Sequence, residues 1–137
     1  MGELTLEEKI RAAGFRATKP RLQILSFLKN RHKPESIQDI AISFRRKIDP
    51  VTIYRVIDSF KKRGLVREVD LQLGRPLYEI AGDDHHHITC TNCARVEDFT
   101  GCHADSLAKT ALSQTKQFAS IKSHSIELFG LCNKCTV

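Results

Sequence analysis

No apolar run in this sequence approaches the roughly 18 residues that a membrane-crossing helix needs. No positively charged stretch followed by an apolar one opens it, so a secreted or membrane-spanning protein is not expected. Internal repeats and low-complexity tracts are absent. So are an HExxH motif and a Ser-His-Asp order, the common signatures of zinc and serine hydrolysis. A chain of 137 residues, 41% hydrophobic, is too apolar to stay unfolded, and its length allows one compact domain or two small ones.

Acidic residues are the minority, 16 Asp and Glu against 22 Lys and Arg, and the imbalance is local. Residues 1–82 carry 17 basic and 10 acidic side chains, a net of +7, whereas residues 83–137 carry 5 and 6, a net of −1. A basic excess confined to one half is the electrostatic footprint of a polyanion-binding region. The rarer residues lean the other way. All five cysteines and five of the six histidines lie after residue 84. One half has the character of a nucleic-acid reader and the other of a metal binder.

Hydrophobic periodicity gives helices through the first 64 residues. A short amphipathic stretch runs from Leu4 to Ala13 and stops at Gly14. Thr18 is the expected N-cap of the next helix, with Pro20 tolerated in its first turn. Ser36, followed three residues on by Asp39, caps a third helix as in a capping box. Its Ile37, Ile40, Ala41 and Phe44 follow the i, i+3, i+4, i+7 rule. Asp49-Pro50 starts a fourth helix, with Ile53, Val56, Ile57 and Phe60 on its apolar face and Gly64 as its stop. The opposite face presents Thr52, Tyr54, Arg55, Ser59 and Lys62.

The pattern then changes to strands at Leu65–Leu71 and Leu77–Ile80, joined through Gly74-Arg75-Pro76. Helices followed by a two-stranded hairpin describe a winged helix-turn-helix, with residues 36–64 as the helix-turn-helix pair. Gly82-Asp83-Asp84 is the expected linker, dividing the chain into domains 1–82 and 83–137. Beyond it, strands are expected at Ile88–Cys90, around Val96–Phe99 and around Ile121–Phe129, with a helix near Ala104–Ser113. The fold class is therefore α+β.

Cys90-Thr91-Asn92-Cys93 and Cys132-Asn133-Lys134-Cys135 are two CxxC turns with 38 residues between them. Each turn aims two sulfurs at one point, and two turns make a closed tetrahedral thiolate site that suits zinc. A thioredoxin-like redox pair is the alternative, but no βαβ pattern accompanies either turn. Cys102 is left over, and no role is assigned to it. Asp84-His85-His86-His87 is the second signal. On a strand, His85 and His87 face one side, Asp84 and His86 the other, so the segment can serve two metal sites. Glu79, Asp98, Asp105, His124 and His32 are further candidate ligands, and spacing assigns none of them.

Taken in order, several segments resemble the ferric uptake regulator (Fur) family over nearly the whole chain. They are Gly14-Phe15-Arg16-Ala17-Thr18-Lys19-Pro20-Arg21 with Ile24-Leu25, Thr52-Ile53-Tyr54-Arg55-Val56-Ile57 and Gly64-Leu65-Val66. They continue with His85-His86-His87-Ile88-Thr89-Cys90 and His124-Ser125-Ile126-Glu127-Leu128-Phe129-Gly130-Leu131-Cys132.

The resemblance implies a bacterial, cytoplasmic, metal-dependent transcriptional repressor rather than an enzyme. It would bind palindromic double-stranded DNA as a homodimer, without a membrane. An N-terminal winged helix would bind DNA, and a C-terminal α/β domain would dimerise and hold metal. Carried over position by position, structural zinc would sit on Cys90, Cys93, Cys132 and Cys135. A regulatory iron, zinc or manganese would be held by His32, Glu79, His85, His87 and Asp98. A further site would fall on His86, Asp105 and His124, and DNA contacts on Arg16, Thr52, Tyr54 and Arg55. Two departures bear on the signal. His86 replaces a frequent Asp, and Asp98 stands where peroxide sensors of the family have Asp and iron or zinc sensors often have Glu. Peroxide-sensing and zinc-sensing members are therefore the alternatives within the family. A zinc-stapled interaction module is the alternative outside it.

Overall fold

A computed structural model describes residues 2–31, 33–82 and 85–136, so His32 and Asp84 fall outside it. The chain divides into two compact units, Met1–Asp83 and Asp84–Val137.

The first unit contains α1 (Leu6–Ala12), α2 (Lys19–Lys29), α3 (Ile37–Ser43), α4 (Pro50–Lys62), β1 (Val66–Val69) and β2 (Leu77–Ile80). Each helix starts where the sequence supplies a cap. Thr5 and Glu8 form a reciprocal capping box, which starts α1 two residues later than the Leu4 expected from periodicity. The Ser36 hydroxyl accepts the Asp39 N–H at 3.1 Å, while the Asp39 carboxylate pairs with Arg75 at 3.3 Å. Thr18 occupies the N-cap position of α2, but its side chain makes no cap hydrogen bond.

Apolar faces at helical spacing converge on one core. Ile10, Ile24, Leu25, Ile40, Ile53, Ile57 and Phe60 have no exposed surface, and Val66 and Tyr78 close the core from the hairpin. Strands β1 and β2 pair antiparallel, with Arg67 opposite Glu79. Backbone bonds between Glu35 and Tyr78, at 2.9 and 2.8 Å, tie the segment before α3 to β2. Three helices and a wing of two strands form a winged helix-turn-helix, preceded by α1.

Residues Phe44–Lys47 make the turn between α3 and α4. Arg45 and Arg46 have φ of 51° and 59°. The Arg46 N–H reaches the Ala41 carbonyl at 3.0 Å and the Arg45 N–H the Ile42 carbonyl at 2.9 Å. That is the Schellman pattern, with an arginine where glycine is usual.

The second unit contains β3 (His86–Cys90), β4 (Val96–Phe99), α5 (Ala104–Gln114) and β5 (Glu127–Gly130). The sheet order is β4-β3-β5, antiparallel on one side of β3 and parallel on the other. The last strand is much shorter than the Ile121–Phe129 expected. Its ladder begins where His87 meets Glu127. Residues 121–126 lie outside the strand ladder. Helix α5 extends one residue beyond the expected end and buries no residue.

Candidate metal centres and nucleic-acid interface

The two CxxC turns meet at the end of the β3–β5 pair. The sulfurs of Cys90, Cys93, Cys132 and Cys135 all lie within 4.8 Å of one another. Cys93 Sγ and Cys132 Sγ are 3.7 Å apart, close to the separation of about 3.8 Å set by two tetrahedral zinc–sulfur bonds of about 2.3 Å. Local structure holds this shape. The Ala94 N–H returns to the Cys90 carbonyl at 2.9 Å, with Ala94 at φ 64°. The second turn closes through the Cys135 N–H on the Cys132 carbonyl at 3.0 Å.

Backbone N–H groups of Cys93 and Cys132 point at Cys90 Sγ from 3.5 and 3.4 Å. They stabilise its thiolate and lower its pKa to about 6. The Cys135 thiol, bonded by the neighbouring sulfur, and then backbone bonding lower Cys132 as well. The Asn92 amide, 3.2 Å from Cys135 Sγ, pulls Cys135 down. The adjacent sulfurs and burial outweigh it, and that thiol rises to about 11. Four sulfurs with one thiolate already favoured can close a shell around a zinc-sized ion.

A second group surrounds His87, the second residue of the central strand and only 1% exposed. Its register neighbours are Asp98 on β4 and Glu127 on β5. Accordingly, His87 Nε2 lies 3.7 Å from an Asp98 oxygen and His87 Nδ1 lies 3.2 Å from a Glu127 oxygen. The His85 ring meets the His87 ring edge-on, centroids 5.0 Å apart, as expected for residues on one side of a strand. His85, His87 and Asp98 are thus neighbours in the second unit. Glu127 joins them, although sequence reasoning did not select it; the parallel β3–β5 register is the signal that finds it. Glu79 is buried in the first unit and bonded to Arg67 at 2.6 Å. His32 lies outside the described residues.

The third group differs from expectation in one member. His86 and His124 come together, ring centroids 5.4 Å apart. The donor beside them is Cys102, with Sγ 3.6 Å from His124 Nε2. Asp105 is exposed in the first turn of α5 and is not part of this cluster.

On α4, the caps and the outward face share the first turn. Asp49 accepts both the backbone N–H and the hydroxyl of Thr52 at 2.9 Å, so the Thr52 hydroxyl is engaged in the cap. Tyr54 is 53% exposed. Arg55 is also exposed and makes no ion pair among the described residues. Ser59 turns its hydroxyl back to the Val56 carbonyl, and Lys62 pairs with Asp58 at 3.0 Å. Arg16 is exposed in the connection between α1 and α2. A helix that buries Ile53, Ile57 and Phe60 and leaves Tyr54 and Arg55 outward can present them to a groove.

No helix of the described residues is long and apolar enough to cross a membrane. The family model of the ferric uptake regulator family matches residues 12–129. The ferric uptake regulation protein of Cupriavidus metallidurans is 30% identical over 126 residues, covering 88% of this chain and 87% of that protein. Its counterpart in Legionella pneumophila is 27% identical over 133 residues, covering 93% and 96%. Among solved structures, the Vibrio cholerae ferric uptake regulator, described as showing a rearrangement of its DNA-binding domains, is similar with a TM-score of 0.75. It is 25% identical, and the match covers 92% of this chain and 98% of that one. The Francisella tularensis regulator, solved with iron, is similar with a TM-score of 0.72 and 27% identity, covering 89% and 95%. With a winged helix in one unit and clustered metal-binding side chains in the other, the chain belongs to the ferric uptake regulator family of metal-responsive transcription regulators, which are not enzymes.

Proposed function

We propose that this protein is a repressor that binds palindromic operators as a homodimer when a regulatory metal is bound. The observation that carries the reading is α4. It lies in a unit with all of the chain's basic excess, with Tyr54 and Arg55 outward, in a chain whose other unit gathers imidazoles, carboxylates and thiolates.

In this reading Cys90, Cys93, Cys132 and Cys135 hold a structural zinc, and the closed thiolate set contributes folding energy rather than signal. His85, His87 and Asp98, with Glu79 and His32 from the first unit, hold the regulatory ion. Imidazoles with carboxylates accept iron, zinc or manganese. The ion supplies a common anchor for ligands from both units. Half-sites on DNA must match a helical turn of about 34 Å, so ligands that restrict how two recognition helices are spaced select the DNA-competent state. Tyr54 and Arg55 would read base edges in the major groove, with Thr52 at the start of the helix and Arg16 near the minor groove.

The test is DNA binding by zinc-supplemented protein at fixed salt, titrated separately with Fe²⁺, Mn²⁺ and Zn²⁺ against a palindrome of the family type. Tightening by one of these ions is expected, and His87→Ala should remove the tightening while leaving the fold intact. Affinity indifferent to every metal, or unchanged in His87→Ala at saturating metal, would refute metal control. Binding without salt dependence would refute the DNA reading itself.

A further inference from the structure

We propose that His86, Cys102 and His124 form a thiolate-containing metal site in the second unit, selective for a soft or borderline divalent cation such as zinc. Three chain segments deliver the donors. His86 is the first residue of β3, Cys102 lies between β4 and α5, and His124 lies in the segment before β5. Their donor atoms all lie within 4.8 Å of one another. Donors so far apart in sequence meet here because β3 holds β4 and β5 on its two edges.

Each donor has a structural reason for its place. His86 pairs with Phe99 in the β3–β4 register and packs on that ring at 5.4 Å, only 4% exposed. Gly101, at φ 86°, turns the chain after β4 through a backbone region that L side chains avoid, and Cys102 follows directly. Cys102 Sγ then lies 3.6 Å from His124 Nε2. The site is separate from the group around His87, because successive strand residues point to opposite faces.

The sulfur changes what the site selects. Two imidazoles with a carboxylate would accept manganese or iron as well as zinc, whereas a thiolate in place of the carboxylate disfavours hard ions. Among the described residues the site has three donors, one fewer than the closed four-cysteine set. The ion here is therefore exchangeable while the four-cysteine zinc stays. This inference does not rest on the role assigned to His87.

Cobalt is the probe. Protein freed of excess zinc, so that only the ion held by the four cysteines remains, is titrated with Co²⁺ without oxygen, and the near-ultraviolet band of sulfur-to-cobalt charge transfer is recorded together with retained zinc. The ligands proposed for the regulatory ion are nitrogen and oxygen only, so they give no such band. A sulfur band saturating at about one equivalent is expected, with zinc retained. Cys102→Ser should abolish it, and His124→Ala should weaken cobalt binding by about tenfold or more, since losing a donor costs at least as much as losing a group that merely supports one. His87→Ala should leave it unchanged, and excess Mn²⁺ should not displace it. Cys102 is in a connecting segment and only half-buried, and the melting curve of the serine variant checks its fold. Absence of the band in the parent protein would overturn the proposal. So would an undiminished band in Cys102→Ser, or displacement of cobalt by Mn²⁺.

Discussion

Asp49 sets the start of α4 through two hydrogen bonds from one residue. The Thr52 backbone N–H, and then its hydroxyl, hold the Asp49 carboxyl below its ordinary value of 3.8. A depressed folded-state value stabilises the fold above the unfolded value, and that contribution disappears as pH falls through the folded value. Asp49→Asn keeps an acceptor but cannot ionise. The parent protein should therefore melt higher than the variant at about pH 6, and the gap should close by about pH 2. A gap independent of pH would show that the carboxylate charge contributes nothing. Cys93 makes a different case. If the four sulfurs hold structural zinc, Cys93→Ala should lose that zinc and lower the melting temperature of the second unit, as should a strong chelator acting on the parent protein. Unchanged zinc content and melting would refute the role. The CxxC spacing makes this site legible in the sequence, since each turn by itself fixes two sulfurs. Cys102 and Glu127 were not legible, because only strand pairing and the β4–α5 connection bring them to their neighbours.

Helix α4 shows how far element-scale reading reaches. Its i, i+3, i+4, i+7 pattern is realised in the fully buried Ile53, Ile57 and Phe60, and its Asp-Pro start is where the cap forms. Arg55→Ala should cost about 1–3 kcal/mol on a specific operator if the guanidinium meets a base edge. An equal loss on random DNA would assign it to phosphate instead. The turn before α4 was less legible. No glycine marks it, yet Arg45 and Arg46 are both left-handed. Such a conformation costs a non-glycine residue roughly 1–2 kcal/mol, and strain of this kind collects at functional sites. Arg45→Gly should therefore raise the denaturation midpoint while weakening DNA binding, through loss of a positive charge beside the helix-turn-helix turn. Lower stability would show that the arginine side chain contributes more than the strain removes. Strand β5 illustrates the opposite limit. Approximate alternation extends it to Ile121, but a strand exists only where it is paired, and pairing with β3 starts at His87 and Glu127.

At the scale of the whole molecule, the two units bury their apolar residues very differently. Every hydrophobic core residue of the main cluster belongs to the first unit. In the second unit Ile88, Leu107, Phe118, Ile121, Leu128 and Leu131 are exposed, Phe118 by 69%. A small unit with so little buried apolar surface needs a metal or a partner to stabilise it. The proposed zinc supplies the first, and a second copy of the chain the second, since exposed apolar patches mark interaction surfaces. Leu128→Glu on β5 should shift sedimentation toward monomer and weaken binding to a two-half-site operator more than to a single half-site. A variant that sediments like the parent would place the dimer contact elsewhere.

By itself the sequence determined the helices, their caps, the hairpin and the paired cysteine turns. These depend on periodicity and on interactions within a few residues, so the local chain carries them. The basic excess and the rare residues also marked the division of labour between the two halves. Tertiary structure alone decided which side chains from separate strands share a site. It set Glu127 and Asp98 on either side of His87, and it gave Cys102 rather than Asp105 to His86 and His124. The physical reason is that strand register and the path of a connecting loop follow from long-range pairing. Spacing along the chain records distance in sequence and not in space.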